Sequence, residues 1–191
     1  MTYTVTWEEI KSHYRIKDRN FPMLEDDMPT FMGIPQARTA EDLKGTDVVI
    51  IGAPYDDDGG NNAGQTYLIL GKASGWAMDT DLSDAASSFW GEDAGDYSGI
   101  AVSGAGDVNG DGYDDFIIGA YKNDAGGADA GQTYLILGKA SGWAMDTDLS
   151  DADASFIGED ASDYSGCAVS GAGDVNADGY DDFIISARER C

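Results

Sequence analysis

The chain has 191 residues, of which 36 are acidic and 11 basic, for a net charge of -25. That balance repels nucleic-acid phosphates and anionic membrane surfaces and suits bound cations, so neither a nucleic-acid partner nor membrane insertion is expected. No apolar run is long enough to span a bilayer, and the two cysteines, Cys167 and Cys191, are too few for a disulfide framework.

In chain order, the N-terminal residues Met1 to Glu9 lack a basic region followed by an apolar stretch. No secretory signal is visible there. The location is left open: cytoplasmic by default, extracellular if the chain is exported by another route. Thr6-Trp-Glu-Glu9 is a capping-box pattern, and it predicts a short helix over Trp7 to Tyr14. His13, the single histidine, sits near its end and reads as a surface residue. Residues 18–38 hold three of the four prolines and little periodicity, which predicts an extended, irregular segment. A second short helix is expected over Ala40 to Lys44, with Thr39 as cap and Gly45 as stop. Asp47 to Asp56 is apolar on both faces and reads as a buried strand.

From Asn20 to Asp56 the chain resembles the opening of the arginase/agmatinase (ureohydrolase) family, carried by Thr30-Phe-Met-Gly-Ile-Pro35 and the strand at 47–56. The resemblance covers about a fifth of the chain. It implies an ancestry in which guanidino compounds are hydrolysed with two manganese ions. The histidines that would hold those ions are missing, since none follows His13.

Past Asp56 the text changes to Gly, Asp and Ala with short apolar runs, and it repeats. Gly64 to Ala85 is identical to Gly131 to Ala152, and Asp96-Tyr-Ser-Gly99 returns at Asp163, both at a spacing of 67 residues. A fixed long period marks supersecondary units that bury their faces by stacking on neighbours. Within one unit four strands are predicted: Gly99 to Gly104, Asp115 to Ala120, Gln132 to Leu137 and Ser155 to Gly158. Tyr134 and Ile136 point one way along the third and Leu135 and Leu137 the other, so both of its faces should be covered. Four antiparallel strands packed face to face make a propeller blade. Cys167 stands where the other unit has Ile100, which suggests a small buried apolar residue, and the terminal Cys191 reads as a free thiol.

Between the first two strands lies Asp107-Val-Asn-Gly-Asp-Gly-Tyr-Asp-Asp115. Side-chain oxygens fall at alternate positions, Asp107, Asn109 and Asp111, with Gly112 at the sixth. Calcium takes six to eight hard oxygens, and a loop that offers them this way must turn sharply at the sixth place. The Tyr113 carbonyl and the Asp115 carboxylate extend the set. The loop returns as Asp174, Asn176, Asp178, Tyr180 and Asp182, with one change, Gly110 to Ala177, at a position that carries no ligand. An EF-hand would need glutamate at position twelve, where Ile118 and Ile185 stand. The competing reading is an acidic turn held by its own Asx hydrogen bonds. Two matched copies favour two calcium sites.

The unit from Gly99 through the loop to Gly119-Ala120 resembles the FG-GAP repeat of integrin α-subunit propellers, over about seven-tenths of the chain. The resemblance implies calcium held in each loop by the ten residues named, with the tyrosines contributing carbonyls. The family's phenylalanine before Gly99 is Ser98 here, and its Gly-Ala-Pro ending is intact only at Gly52-Ala53-Pro54.

These readings combine into a mainly β chain: an irregular, short-helix arm at 1–46 and a repeat region at 47–191, with units at 52–118 and 119–185 forming two four-stranded, blade-like repeats of an incomplete propeller. Two blades do not close a ring. Either several chains assemble or the blades stack with the arm over an edge, and open edges favour a homo-oligomer. The expected function is structural or adhesive protein binding without catalysis. The alternative is an inactive agmatinase-like hydrolase.

Overall fold

The structure, a computed structural model, describes residues 48–72 and 74–188. The expectations for the arm at 1–46, including both short helices, His13 and the segment at 30–35, lie outside the described residues, as does Cys191.

The described chain is built from β1 (Val48–Ala53), β2 (Gln65–Leu70), β3 (Ser87–Trp90), β4 (Ala101–Gly106), β5 (Asp115–Ala120), β6 (Gln132–Ile136), β7 (Thr147–Asp148), β8 (Ala154–Ile157), β9 (Val169–Gly173) and β10 (Asp182–Ile185). Two short 3-10 turns, Leu82–Asp84 and Leu149–Asp151, occupy equivalent places in the repeat, each capped by an aspartate side chain, Asp81 or Asp148. Among the described residues no helix is long and apolar enough to cross a membrane.

The strands form blade-like sheets, as expected of a mainly β chain. The complete blade is β4-β5-β6-β8, four antiparallel strands drawn from both sides of the unit boundary at 118. The first sheet differs from the prediction of four antiparallel strands per unit. It runs β1-β2-β3-β7, and its outer strand is lent by the next unit and pairs in parallel, Phe89 with Thr147 and Trp90 with Asp148. The position one period before β4 lies outside the described residues. The third sheet holds β9 and β10 alone.

The predicted first strand, Gly99 to Gly104, is displaced to Ala101–Gly106. The reason is a turn at 97–100: the Ile100 amide donates to the Tyr97 carbonyl, and Tyr97 and Gly99 both adopt positive φ. Pairing starts only after that turn. A bulge between Gly104 and Gly106 then aims the chain into the acidic loop.

Strand β5 explains why blades stack. All six of its residues are buried. Phe116 and Ile118 point to one side with Leu68, Phe89, Tyr134, Ile136 and Leu149, forming a core with the first sheet. Ile117 points to the other side with Ala105 and Leu135, against Val169 and Phe183 of the third sheet. The alternation expected for β6 is observed, since Tyr134 and Ile136 enter the first core and Leu135 the second. Among the described residues no third strand lies beside the same Asp-Phe-Ile-Ile sequence in β10, and Ile184 is 62% exposed where its counterpart Ile117 is fully buried.

Adjacent blades are also tied along one edge. The amides of Tyr97 and Ser98 donate to the carbonyls of Asn62 and Ala63, and Tyr164 and Ser165 repeat this on Asp129 and Ala130. Gly119 abuts the Gly166 carbonyl so closely that no β-carbon fits between the blades there. The rings of Tyr55, Tyr97, Tyr121 and Tyr164 follow one another at centroid spacings of 5.6, 5.8 and 6.0 Å. Lys122 lies over Tyr97 and Tyr121. Beneath this row the buried Asp96 carboxylate accepts from Asn123 Nδ2 at 2.8 Å, and Asn123 also reaches the Tyr134 hydroxyl. Cys167, expected to be a buried apolar residue, is half-buried and disulfide-bonded. Its sulfur also accepts from Arg188, so a polar partner replaces the expected apolar surroundings.

Two outcomes follow from this packing. Phe116→Ala should cost about 3–5 kcal/mol in urea unfolding, and Phe183→Ala less than half of that, because the second ring packs on an unfinished blade. Burial pushes the Asp96 carboxyl above the usual carboxylate range, against the pull of its Asn123 hydrogen bond. A raised folded-state pKa means the proton is held more tightly in the folded state. That contribution is complete below the unfolded value, about 3.9, and is lost as pH rises through the folded value. Asp96→Asn should therefore reduce the stability lost between about pH 3.5 and pH 7 in chelator, measured by urea unfolding. An unchanged loss would remove Asp96 as its source.

Candidate metal loops

Both acidic loops connect the first and second strands of a blade, β4 to β5 and β9 to β10. Their shape is set by side-chain-to-backbone hydrogen bonds. In the first loop Asp107 Oδ1 accepts from the amides of Gly110 and Asp111, at 2.7 and 3.0 Å, and Oδ2 accepts from Gly112 at 2.8 Å. Asn109 Oδ1 accepts from the Asp111 amide, and Asp111 Oδ1 from the Tyr113 amide, both at 2.9 Å. Asn109 Nδ2 donates to Asp111 Oδ2 at 2.9 Å, so these two side chains lie side by side. Gly112 takes φ +90°, the sharp turn expected at the sixth place.

Asp115 closes the loop from the start of β5. It is fully buried. Its oxygens accept from the amides of Val108 at 2.9 Å and Gly138 at 2.7 Å. Burial pushes its carboxyl upward, the two amides pull it down, and the nearby carboxylates of Asp111 and Asp107 raise it further.

The second loop copies most of this. Asp174 accepts from Asp178 and Gly179, Asn176 from Asp178, and Asp178 from Tyr180. Asn176 Nδ2 again meets Asp178 Oδ2 at 2.9 Å. Asp182 accepts from Val175 at 2.9 Å but is only half-buried. The loop residues from Asp174 to Tyr180 are exposed.

Each loop thus brings its five predicted positions onto one nine-residue turn. Among the described residues no three His, Cys, Asp or Glu side chains are gathered into a metal-holding group, because the carboxylates face backbone amides. The donor set still fits a hard cation. Every donor is oxygen, and Asp115 is a buried carboxylate with two acidic neighbours, each of its oxygens accepting one amide and keeping a lone pair, whereas Asp107 Oδ1 already accepts two amides. Calcium would be held by the side chains of Asp107, Asn109, Asp111 and Asp115 with the Tyr113 carbonyl, and by Asp174, Asn176, Asp178, Asp182 and the Tyr180 carbonyl in the second loop.

Sequence reasoning passed over Asp181 and the ring of Tyr180. The signal for both was the single difference between the loops, Gly110 against Ala177.

Asp115→Ala strips two buried amides of their acceptor and should cost about 2–5 kcal/mol in urea unfolding with chelator present. Asp182→Ala, which frees one exposed amide, that of Val175, should cost about 1 kcal/mol under the same conditions. Equal losses would place the two carboxylates in equivalent roles.

The chain matches the FG-GAP repeat family over residues 98–136, from the turn before β4 through the acidic loop to the end of β6. It is 30% identical over 156 residues to "Integrin alpha pat-2" of Caenorhabditis briggsae and 31% identical over 169 residues to the protein of that name in Caenorhabditis elegans. The alignments cover 75% and 82% of this chain but span only 12% of the length of either relative. Residues 98–136 therefore carry an FG-GAP repeat, and the repeat region is integrin-like in sequence.

Proposed function

We propose that the chain is a calcium-stabilised, integrin-like adhesive module that binds protein and performs no catalysis. The observation that carries this reading is the position of the FG-GAP match, which encloses the loop at 107–115 inside the hairpin of the complete blade. Calcium would supply fixed positive charge among carboxylates that otherwise repel one another, and so rigidify the hairpin. The buried Asp115, anchored to both its own loop and Gly138 beyond β6, would transmit that rigidity to the third strand. A protein partner or a second copy of the chain would cover the half-finished blade, where Ile184 is exposed, together with the outer strand of the complete blade, where Phe156 and Ile157 are exposed. The hydrolase alternative is not carried further. The part of that resemblance among the described residues, the strand Val48–Ala53, is a blade strand paired along its length with β2.

Thermal unfolding with calcium, with manganese and with chelator tests this. A ligand at a hundred times its dissociation constant stabilises by about 2.7 kcal/mol per site. Calcium should raise the melting temperature, and Asp111→Ala and Asp178→Ala should each remove part of the rise. An unchanged melting temperature would make the loops acidic turns, and urea release from agmatine with manganese would restore the hydrolase.

A further inference from the structure

We infer that the two acidic loops form one coupled calcium unit, in which Asp181 and the Tyr180 ring of the second loop hold the backbone of the first. The inference rests on the calcium reading above and adds to it a relation between the two sites.

The loops touch directly. The Asp107 amide donates to Asp181 Oδ2 at 3.0 Å, and the Asp181 amide donates back to the Asp107 carbonyl at 3.1 Å. Asp181 is not a ligand candidate, yet it stands between two of them, Tyr180 and Asp182. Its partner Asp107 is the first ligand of the other loop. The Tyr180 ring lies on the opposite shoulder of that loop, where a β-carbon at Gly110 would stand 2.7 Å from its Cε1.

The difference between the copies supports the assignment. Gly110 has φ +76° and Ala177 has φ +60°, so the second loop tolerates a side chain in nearly the same backbone conformation. Backbone geometry alone does not require glycine at 110, but a β-carbon there would push the Tyr180 ring aside. The glycine preceding each loop shows the same asymmetry, since a β-carbon at Gly106 would run into the Asp181 carboxylate and one at Gly173 would meet nothing.

Calcium in the first loop would hold the Asp107 backbone, and with it both hydrogen-bond partners of Asp181, which stands between Tyr180 and Asp182. That constraint would lower the cost of filling the second loop, and by linkage the effect is equal in both directions.

Calorimetric titration of the chelator-stripped 191-residue chain with calcium chloride is the test. The expected isotherm has two sites and a Hill coefficient above 1. The second loop in Asp111→Ala and the first loop in Asp178→Ala should each bind about fivefold or more weakly than the second step of the unaltered chain. Asp181→Ala, Gly110→Ala and Tyr180→Ala each keep every proposed ligand atom, and each should retain two sites while lowering the Hill coefficient toward 1. Ala177→Gly should leave it unchanged. Two independent sites in the unaltered chain, negative cooperativity, or coupling that survives all three variants would overturn the inference while leaving the calcium reading intact. No calcium heat at all would overturn the calcium reading itself.

Discussion

Everything in this chain depends on a strand that is apolar on both faces. Strand β5 buries Phe116 and Ile118 toward one sheet and Ile117 toward the next. A two-layer arrangement would leave one of these faces wet, so the complete blade needs a neighbour on each side. Glycine at 119 permits the required approach, because the backbone of the next blade occupies the space of its missing side chain. Stacking is therefore a condition of folding for the repeat and not a later addition to it.

The acidic loops inherit their positions from that stack. Each leaves the first strand at its end and re-enters the second strand with an aspartate, Asp115 or Asp182. In the complete blade the returning aspartate is buried and braces Gly138 across the sheet, whereas in the unfinished blade it is half-exposed and holds one amide. Identical local sequences thus occupy different electrostatic settings. The first loop has a desolvated carboxylate among other carboxylates, an arrangement that favours a bound cation. The second loop is open to solvent, and its contact with the first gives it the more constrained neighbour.

The same contrast separates the apolar residues. Phe116 and Phe183, or Ile117 and Ile184, share sequence context to within a residue, yet one of each pair is enclosed and the other is less covered. Lent strands do part of this work. The two residues of β7 cap the first sheet in parallel, and the Ser88 hydroxyl and Gln65 Nε2 donate to the Asp146 carboxylate behind them, at 3.0 and 3.2 Å. In the identical segment one period earlier Trp76 and Met78 are exposed.

The sequence by itself determined the local chemistry: the 67-residue period, the strands at β5 and β6, the two-faced character of β6, and the nine-residue loops with their sharp turn at Gly112. These are legible because alternation, glycine placement and oxygen spacing act over a few residues. Only the tertiary structure decided which copies are enclosed, that β7 serves the preceding sheet, that the first strand begins after a turn at 97–100, and that Tyr180 and Asp181 press on the other loop. Apart from the local turn at 97–100, those outcomes depend on partners about one period away in the chain. A local pattern repeated twice carries no record of which copy has a neighbour on its far side.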